Sequence, residues 1–390
     1  MIHTNPVSLT LYHTVFRYPT PVNINYLWNF GFLALITLVC QVITGVLLAM
    51  YYLPSAMFAF DSVEIIMREI NFGWFLRYCH ANGASVFFIV VFCHMFRGLF
   101  YGSFMYPRVF LWNIGVVILL IMILTAFLGY VLPWGQMSYW AATVITNLAS
   151  VVPFIGKFIL YWLWGGFSVS SATLNKFFSL HFLFPFLILV LSLLHIFFLH
   201  LHGSSNPLGI DSFELIVFTP YSLIKDYFFL IVYFMGFSVL VFFLPNLVNH
   251  SDNYIPANPL STPTHIVPEW YLLSFYAILR SIPHKLIGVV ALVAAIIILA
   301  ILPVMGTGYI RSGRFRPFYR FFFWNFLLTT FFLSYLGGQP AEDLFIGFSQ
   351  IETFTYFFIL LIAVPFASCF DLWFLIFSSL VYLDNNVKKV

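Results

Sequence analysis

Charge is scarce in this sequence. Asp, Glu, Lys and Arg supply 7% of the 390 residues, while 62% are hydrophobic and 21% aromatic. So little charge cannot coat a water-soluble globule, so lipid must be the solvent for most of the chain. Cysteine is scarce too: Cys40, Cys79, Cys93 and Cys369 all lie in apolar stretches. They form no CxxC, no zinc spacing and no CxxCH for covalent haem attachment, and read as buried spectator thiols. The segment Met1 to Thr20 shows no charged start followed by an apolar core and small-residue cleavage site, so no signal peptide is expected. A formal charge of +3, dispersed along the chain, excludes nucleic acid as a partner.

What is present is a series of apolar runs of about 20 residues, the length that crosses a hydrocarbon core at about 1.5 Å per residue. They are too long and too weakly alternating for barrel strands, and in lipid each must satisfy its own backbone, so they are helices. The fold class expected is an all-α polytopic membrane protein with about eight spans, near 29-52, 76-102, 109-133, 173-202, 226-245, 286-304, 319-336 and 352-380. The first four are expected to form a four-helix bundle within residues 1-210, and the rest a C-terminal unit over 211-390.

An even number of spans puts both termini on one side. Arg17, Arg97, Arg108, Lys225, Arg311, Arg314, Arg316, Arg320, Lys388 and Lys389 flank that side, ten of the sixteen basic residues, so it is expected to be the matrix or cytoplasm. On the opposite side two long loops, roughly 134-172 and 246-285, are rich in Pro, Gly, Trp and Tyr. Long loops of ordered composition usually carry function. The phenylalanine runs, such as Phe321 to Phe323, read as bulk facing lipid or core, and no internal repeat stands out beyond the spacings that follow.

Ionisable residues inside a membrane are costly, although a single histidine in a span is often only a packing residue. Here four occur in matched pairs. His80 and His94 are 14 residues apart on the second span, as are His181 and His195 on the fourth. Fourteen steps fall about 40° short of four turns and rise about 21 Å, so each pair shares one face at two depths. Two facing imidazoles at each depth suit a six-coordinate haem iron built for electron transfer, whereas zinc would want further ligands. Gly31 and Gly45 on the first span and Gly115 and Gly129 on the third repeat the same interval. A glycine can be ordinary close packing, but it also gives a porphyrin edge room between helices. Arg77 and Arg97 sit one turn outside His80 and His94, where each could pair a haem propionate or simply snorkel to the interface.

Longer motifs then carry a resemblance. The stretches LRYCHANGAS at 76-85, GYVLPWGQMS at 129-138, WLWGGFSV at 162-169, HGSSNPLG at 202-209, DNYIPANPL at 252-260 and PEWY at 268-271 make the chain similar to the mitochondrial-type cytochrome b family over almost its whole length. The resemblance implies the dihaem subunit of complex III, a quinol:cytochrome c oxidoreductase running a proton-translocating Q-cycle. His80 and His181 would hold a low-potential haem b near the P side, and His94 and His195 a high-potential one near the N side. It implies a Rieske iron-sulfur protein, a c-type cytochrome and other complex III subunits as partners, in a dimer within the mitochondrial inner membrane or a bacterial plasma membrane. Supercomplexes are a further expectation.

Two quinone sites follow from the same resemblance. PEWY lines the site of quinol oxidation. There Glu269, beside apolar and aromatic groups, should have a raised pKa and accept a proton, although Pro-Glu is also a common helix start. Tyr271, Tyr276 and Phe127 match pocket positions, with aromatic packing as the alternative. On the other side His200 lies about 7.5 Å beyond His195 by helical rise, and Lys225 and Asp226 open the fifth span, a set suited to ubiquinone reduction. Asp226 could instead be a helix-start carboxylate, and His202 a propionate or water ligand. The chain departs from the family at Ala141, where glycine is usual, and a methyl group there implies insensitivity to methoxyacrylate-type inhibitors. A dehydrogenase membrane anchor should lack PEWY, a transporter should lack the 14-residue register, and a plastid-type split cytochrome would not keep all eight spans in one chain.

Overall fold

The computed structural model describes residues 5, 8, 9, 12-305, 308 and 310-387, with backbone alone for 15 and 380-387. The basic Lys388 and Lys389, and much of the segment read for a signal peptide, lie outside the described residues.

Apolar runs without breakers become long helices. In chain order they are α1 (Phe30–Ala49), α2 (Ala59–Arg68), α3 (Gly73–Phe100), α4 (Val109–Val131), α5 (Gln136–Asn147), α6 (Gly156–Trp164), α7 (Ser171–His202), α8 (Tyr221–Phe242), α9 (Leu273–Ser281), α10 (Lys285–Met305), α11 (Pro317–Gly337), α12 (Asp343–Phe358) and α13 (Val364–Val387), the last two joined by a π-helical turn, Ile359–Ala363. Among the described residues, seven helical segments are long and apolar enough to span a membrane. The chain is an integral membrane protein, all-α apart from two three-residue strands.

The eighth expected segment also forms a helix, in keeping with about eight spans. The segment near 319-336 does fold, as α11, but Arg320 and Asn325 pull its hydropathy below that of the others. Its ends are tied by charge instead. Asp371 of α13 accepts from Phe318 N at 2.9 Å and Tyr319 N at 3.1 Å, satisfying donors that the first turn of α11 leaves open, and it lies 3.4 Å from Arg316. At the far end Arg280 donates to the carbonyls of Leu336 and Gln339, both at 2.7 Å.

α1, α3, α4 and α7 form the four-helix bundle, with α1 packed along α3 and α4 along α7. Hydroxyl groups inside these spans fold back on their own helix, as Thr37 does by donating to Leu33 O and Thr125 to Ile121 O, which satisfies them within the membrane. The largest buried core joins this bundle to α9, α10, α11 and α12, with Phe88, Leu299, Phe326 and Tyr356 among its members. α7 is the least enclosed span. Its outer face presents Leu183, Phe186, Val190 and Phe197, and Pro185 interrupts its hydrogen bonding four residues after His181.

The long loop after α4 is itself structured. It carries α5 and α6, ends α6 on Gly165 in the left-handed conformation, and starts α7 with Ser170 and Thr173 bonded reciprocally. The chain ahead of α1 is held by a two-stranded sheet, in which β1 (Pro19–Pro21) pairs antiparallel with β2 (Leu215–Val217). The cysteines are free, but none is buried, contrary to expectation: three are half-exposed and Cys369 is exposed on α13.

Candidate functional site

The bundle brings the four histidines into two facing pairs. His80 of α3 and His181 of α7 have ring centres 6.1 Å apart, and His94 and His195 have theirs 6.3 Å apart. Two imidazoles bound end-on to one metal by bonds of about 2 Å would put their ring centres roughly 6 Å apart, so both pairs stand at the spacing a shared ion needs. No group of three or more His, Cys, Asp or Glu gathers anywhere among the described residues. A site here must therefore take two protein ligands and supply the rest of its coordination from elsewhere, as a porphyrin does.

Each glycine of the 14-residue series backs one histidine. A Cβ at Gly31 would lie 3.1 Å from His94 Cε1, at Gly45 3.0 Å from His80 Cε1, and at Gly115 3.3 Å from His195 Cε1. At Gly129 it would come within 3.0 Å or less of three atoms of the His181 ring. The glycines thus make room for the imidazoles themselves, which lets the rings press against the neighbouring helix and fixes their tilt.

Hydrogen bonds at Nδ1 decide which nitrogen is free. Thr44 Oγ1 donates to Cys40 O and so accepts from His80 Nδ1 at 3.0 Å, while His181 Nδ1 donates to Thr125 O at 2.8 Å. Both contacts put the proton on Nδ1 and leave the Nε2 lone pair available to a metal. The second pair differs. Arg97 Nη2 lies 3.1 Å from His94 Nδ1, and a guanidinium can only donate, so that contact favours the opposite tautomer. His195 Nδ1 faces the Leu111 carbonyl without completing a hydrogen bond. Arg97 also lies over the Trp28 ring at 5.0 Å, and both Arg97 Nε and Trp28 Nε1 are buried donors without partners. Orphaned donors beside a buried cation fit an anionic group.

Beside the His80 pair runs a cavity of about 230 Å³ that joins Gly45, His80, Gly129 and His181 to Arg77, Glu269 and Tyr271. PEWY reaches it because Trp270 Nε1 donates to Ser85 Oγ at 3.1 Å and Tyr271 stacks on Phe88 at 3.9 Å, nearly parallel. Glu269 stands at the start of a short 3-10 turn, Trp270–Leu272, yet its side chain makes no cap bond. The helix-start reading therefore does not account for it. Burial pushes its carboxyl up to about 7, against smaller opposing effects of the Tyr130 hydroxyl bonded to it and of Arg77. Phe127, Tyr276 and Ala141 lie outside the wall of this cavity. Phe127 meets Phe177 edge-on at 5.9 Å, the Arg280 guanidinium sits 5.5 Å over the Tyr276 ring, and Ala141 is buried in α5.

At the other end of the bundle α8 begins at Tyr221, five residues earlier than expected. Asp226 is therefore past the first turn and does not serve as a helix-start carboxylate. It is buried, and Asn29 Nδ2 donates to its Oδ1 at 2.7 Å. Lys225 Nζ donates to Ile24 O at 2.6 Å and lies 5.3 Å over the Tyr26 ring, tethering the chain ahead of α1. His200, in the last turn of α7, stacks on Tyr18 with ring centres 4.2 Å apart.

Comparison with known proteins decides the family. The family described as Cytochrome b/b6/petB matches residues 15–203, and that described as Cytochrome b(C-terminal)/b6/petD matches residues 256–357. Cytochrome b of Chondrus crispus is 58% identical over 349 residues, covering 89% of this chain and 92% of the relative. Cytochrome b of Rhodospirillum rubrum is 54% identical over 369 residues, 94% and 91% of the two chains. The chain belongs to the cytochrome b family. A solved structure titled Hyperthermophilic respiratory Complex III superposes with a TM-score of 0.89 at 35% identity, covering 95% of this chain and 98% of that one.

Around these sites the sequence alone did not point to Tyr130, Thr44, Asn29 and Tyr18. Tyr130 carried a signal, since it adjoins Gly129 in a quoted motif. Tyr18 precedes the first span and Asn29 stands near its start, and they meet partners 181 and 197 residues away, which no local pattern announces.

Proposed function

We propose that this chain is the dihaem subunit of a quinol:cytochrome c oxidoreductase and works by a Q-cycle. The observation that carries the proposal is the pair of cross-helix histidine contacts, at 6.1 and 6.3 Å, each ring backed by a glycine. His80 with His181 and His94 with His195 would hold two b haems, with Arg77, Arg97 and Trp28 at hand for their propionates. When bound, the haems supply one-electron transfer across the membrane between the two quinone sites.

The protein's own groups manage protons and position. Glu269, poised near neutral pH and oriented by the Tyr130 hydroxyl, accepts a proton from quinol in the cavity beside His80. One electron leaves to a Rieske iron-sulfur protein and on to a c-type cytochrome, while the other crosses to the Asp226 end. There Asp226 and His200 deliver protons to ubiquinone, with Asn29 fixing the carboxylate and Lys225 holding the segment that closes the site. Proton release at one face and uptake at the other amount to translocation.

The same reading puts the Glu269 end on the P side, both termini on the matrix side of a mitochondrial inner membrane, and the chain in a dimeric complex III. It divides the chain at residue 210 into the dihaem unit and a C-terminal unit. The test is a reduced-minus-oxidised spectrum with haem quantitation on the purified complex. Two b haems per chain are expected, and one or none would overturn the assignment.

A further inference from the structure

Tyr18 has no role in the reading above, yet it is the best-anchored side chain beside His200. Its backbone is pinned where β1 begins, since Phe218 N donates to Tyr18 O at 2.9 Å and Pro19 pairs with Val217 in the next register position. Its hydroxyl donates to Leu199 O at 3.5 Å, and its ring lies face to face with the His200 imidazole, 4.2 Å between centres and 21° between planes. The helix end that carries His200 is held from a second direction. Arg108, buried at the start of α4, donates to Gly203 O at 3.0 Å and to His202 O and Ser204 O at 3.4 Å, satisfying carbonyls that the end of α7 leaves open.

From this juxtaposition we infer that Tyr18 is a positioning residue for the quinone site at the Asp226 end: its ring sets the plane of the His200 imidazole, so that the edge nitrogens point along one direction. The physical case is simple. His200 sits in the last turn of a helix, where a side chain is free to change rotamer, and the stack removes that freedom before quinone binds. Arg108 keeps the helix end still but does not touch the ring, so backbone and ring are fixed by different residues. An aromatic stack of this kind accounts for about a two- to tenfold change in binding.

The inference rests on the proposed quinone site, and the experiment separates the two. In the purified complex, decylubiquinol reduces the haem at the Asp226 end directly when the other site is blocked, and the KM and kcat of that reaction are measured together with haem content and midpoint potentials. Tyr18→Leu is expected to raise KM about two- to tenfold, with both haems bound and their potentials unchanged, while Tyr18→Phe keeps the ring and recovers native KM. His200→Ala is the control. If it leaves the reaction intact, the site reading itself fails. If His200→Ala is defective but Tyr18→Leu is native, or if Tyr18→Phe is as impaired as Tyr18→Leu, the stacking inference is overturned. Should Tyr18→Leu not assemble, Tyr18→Met replaces it and is read by the same criteria.

Discussion

At the Glu269 end, His80 and His181 each hand an Nδ1 proton to an oxygen. At the Asp226 end, His94 meets a guanidinium and His195 Nδ1 faces the Leu111 carbonyl without completing a hydrogen bond. The spacing of 14 residues and the glycine backing are the same at both ends, so the difference comes from what surrounds each pair. The first pair is already in the tautomer that binds metal. In the second, Arg97 donates toward His94 Nδ1, and Arg97 Nε and Trp28 Nε1 stand beside it as buried donors without partners. The same spacing of histidines and glycines can therefore carry different hydrogen bonding at its two ends.

The largest effect expected is from His181→Leu. It removes an axial ligand that no apolar neighbour can replace, so the haem beside Glu269 should be absent from the spectrum, the other retained, and turnover reduced to background. Retention of both haems at native spectra would break the pairing. The glycines sharpen the comparison. Gly129→Ala pushes a methyl group into a fixed ring and should cost about 1 to 3 kcal/mol, lowering haem content and thermal stability. Gly115→Ala, where the nearest ring atom is 3.3 Å away, should cost less. The reverse order would show that the seats are not what holds the rings.

Glu269→Gln is expected to slow quinol oxidation by about 10²-fold while both haems stay bound, because it keeps shape and removes a base. The sign with pH follows from burial. A carboxyl raised to about 7 is protonated and inactive as a base below that value, so native activity should rise as pH passes upward through about 7, and the variant should lose that rise. A pH-rate profile unchanged by the substitution would assign the proton to another group. Asp226→Asn should slow quinone reduction at its own end by roughly tenfold, leaving haem reduction from the Glu269 end intact. Equal damage at both ends, measured by pre-steady-state haem reduction, would mean misfolding.

The smallest effect on turnover is expected from Ala141→Gly. Removing a buried methyl in α5 should leave quinol oxidation near native but restore sensitivity to methoxyacrylate-type inhibitors by about tenfold or more. Equal inhibitor potency in both forms would show that Ala141 does not shape the pocket.

How much of this was legible in the sequence depends on distance along the chain. Seven spans follow from hydropathy, and the histidine and glycine registers follow from helix geometry, because both are local. α11 forms where a span was expected, but the Asp371 contacts from α13 that hold its start come from 53 and 52 residues away and needed the fold. The start of α8 was misplaced because the polar Lys225 and Asp226 looked like a boundary, whereas both sit inside the helix and are hydrogen-bonded by residues before α1. Glu269 was found by motif, while its partner Tyr130, 139 positions earlier in the chain, needed the fold.

The closure of the Asp226 end also sets an order of events during synthesis. Ile24, Asn29 and Tyr18 find their partners 201, 197 and 181 residues later, at Lys225, Asp226 and Leu199. A chain made from the N-terminal end must supply α1, α3, α4 and α7, and begin α8, before Tyr18, Ile24 and Asn29 can all make these contacts. A segment that arrives first is thus fastened last.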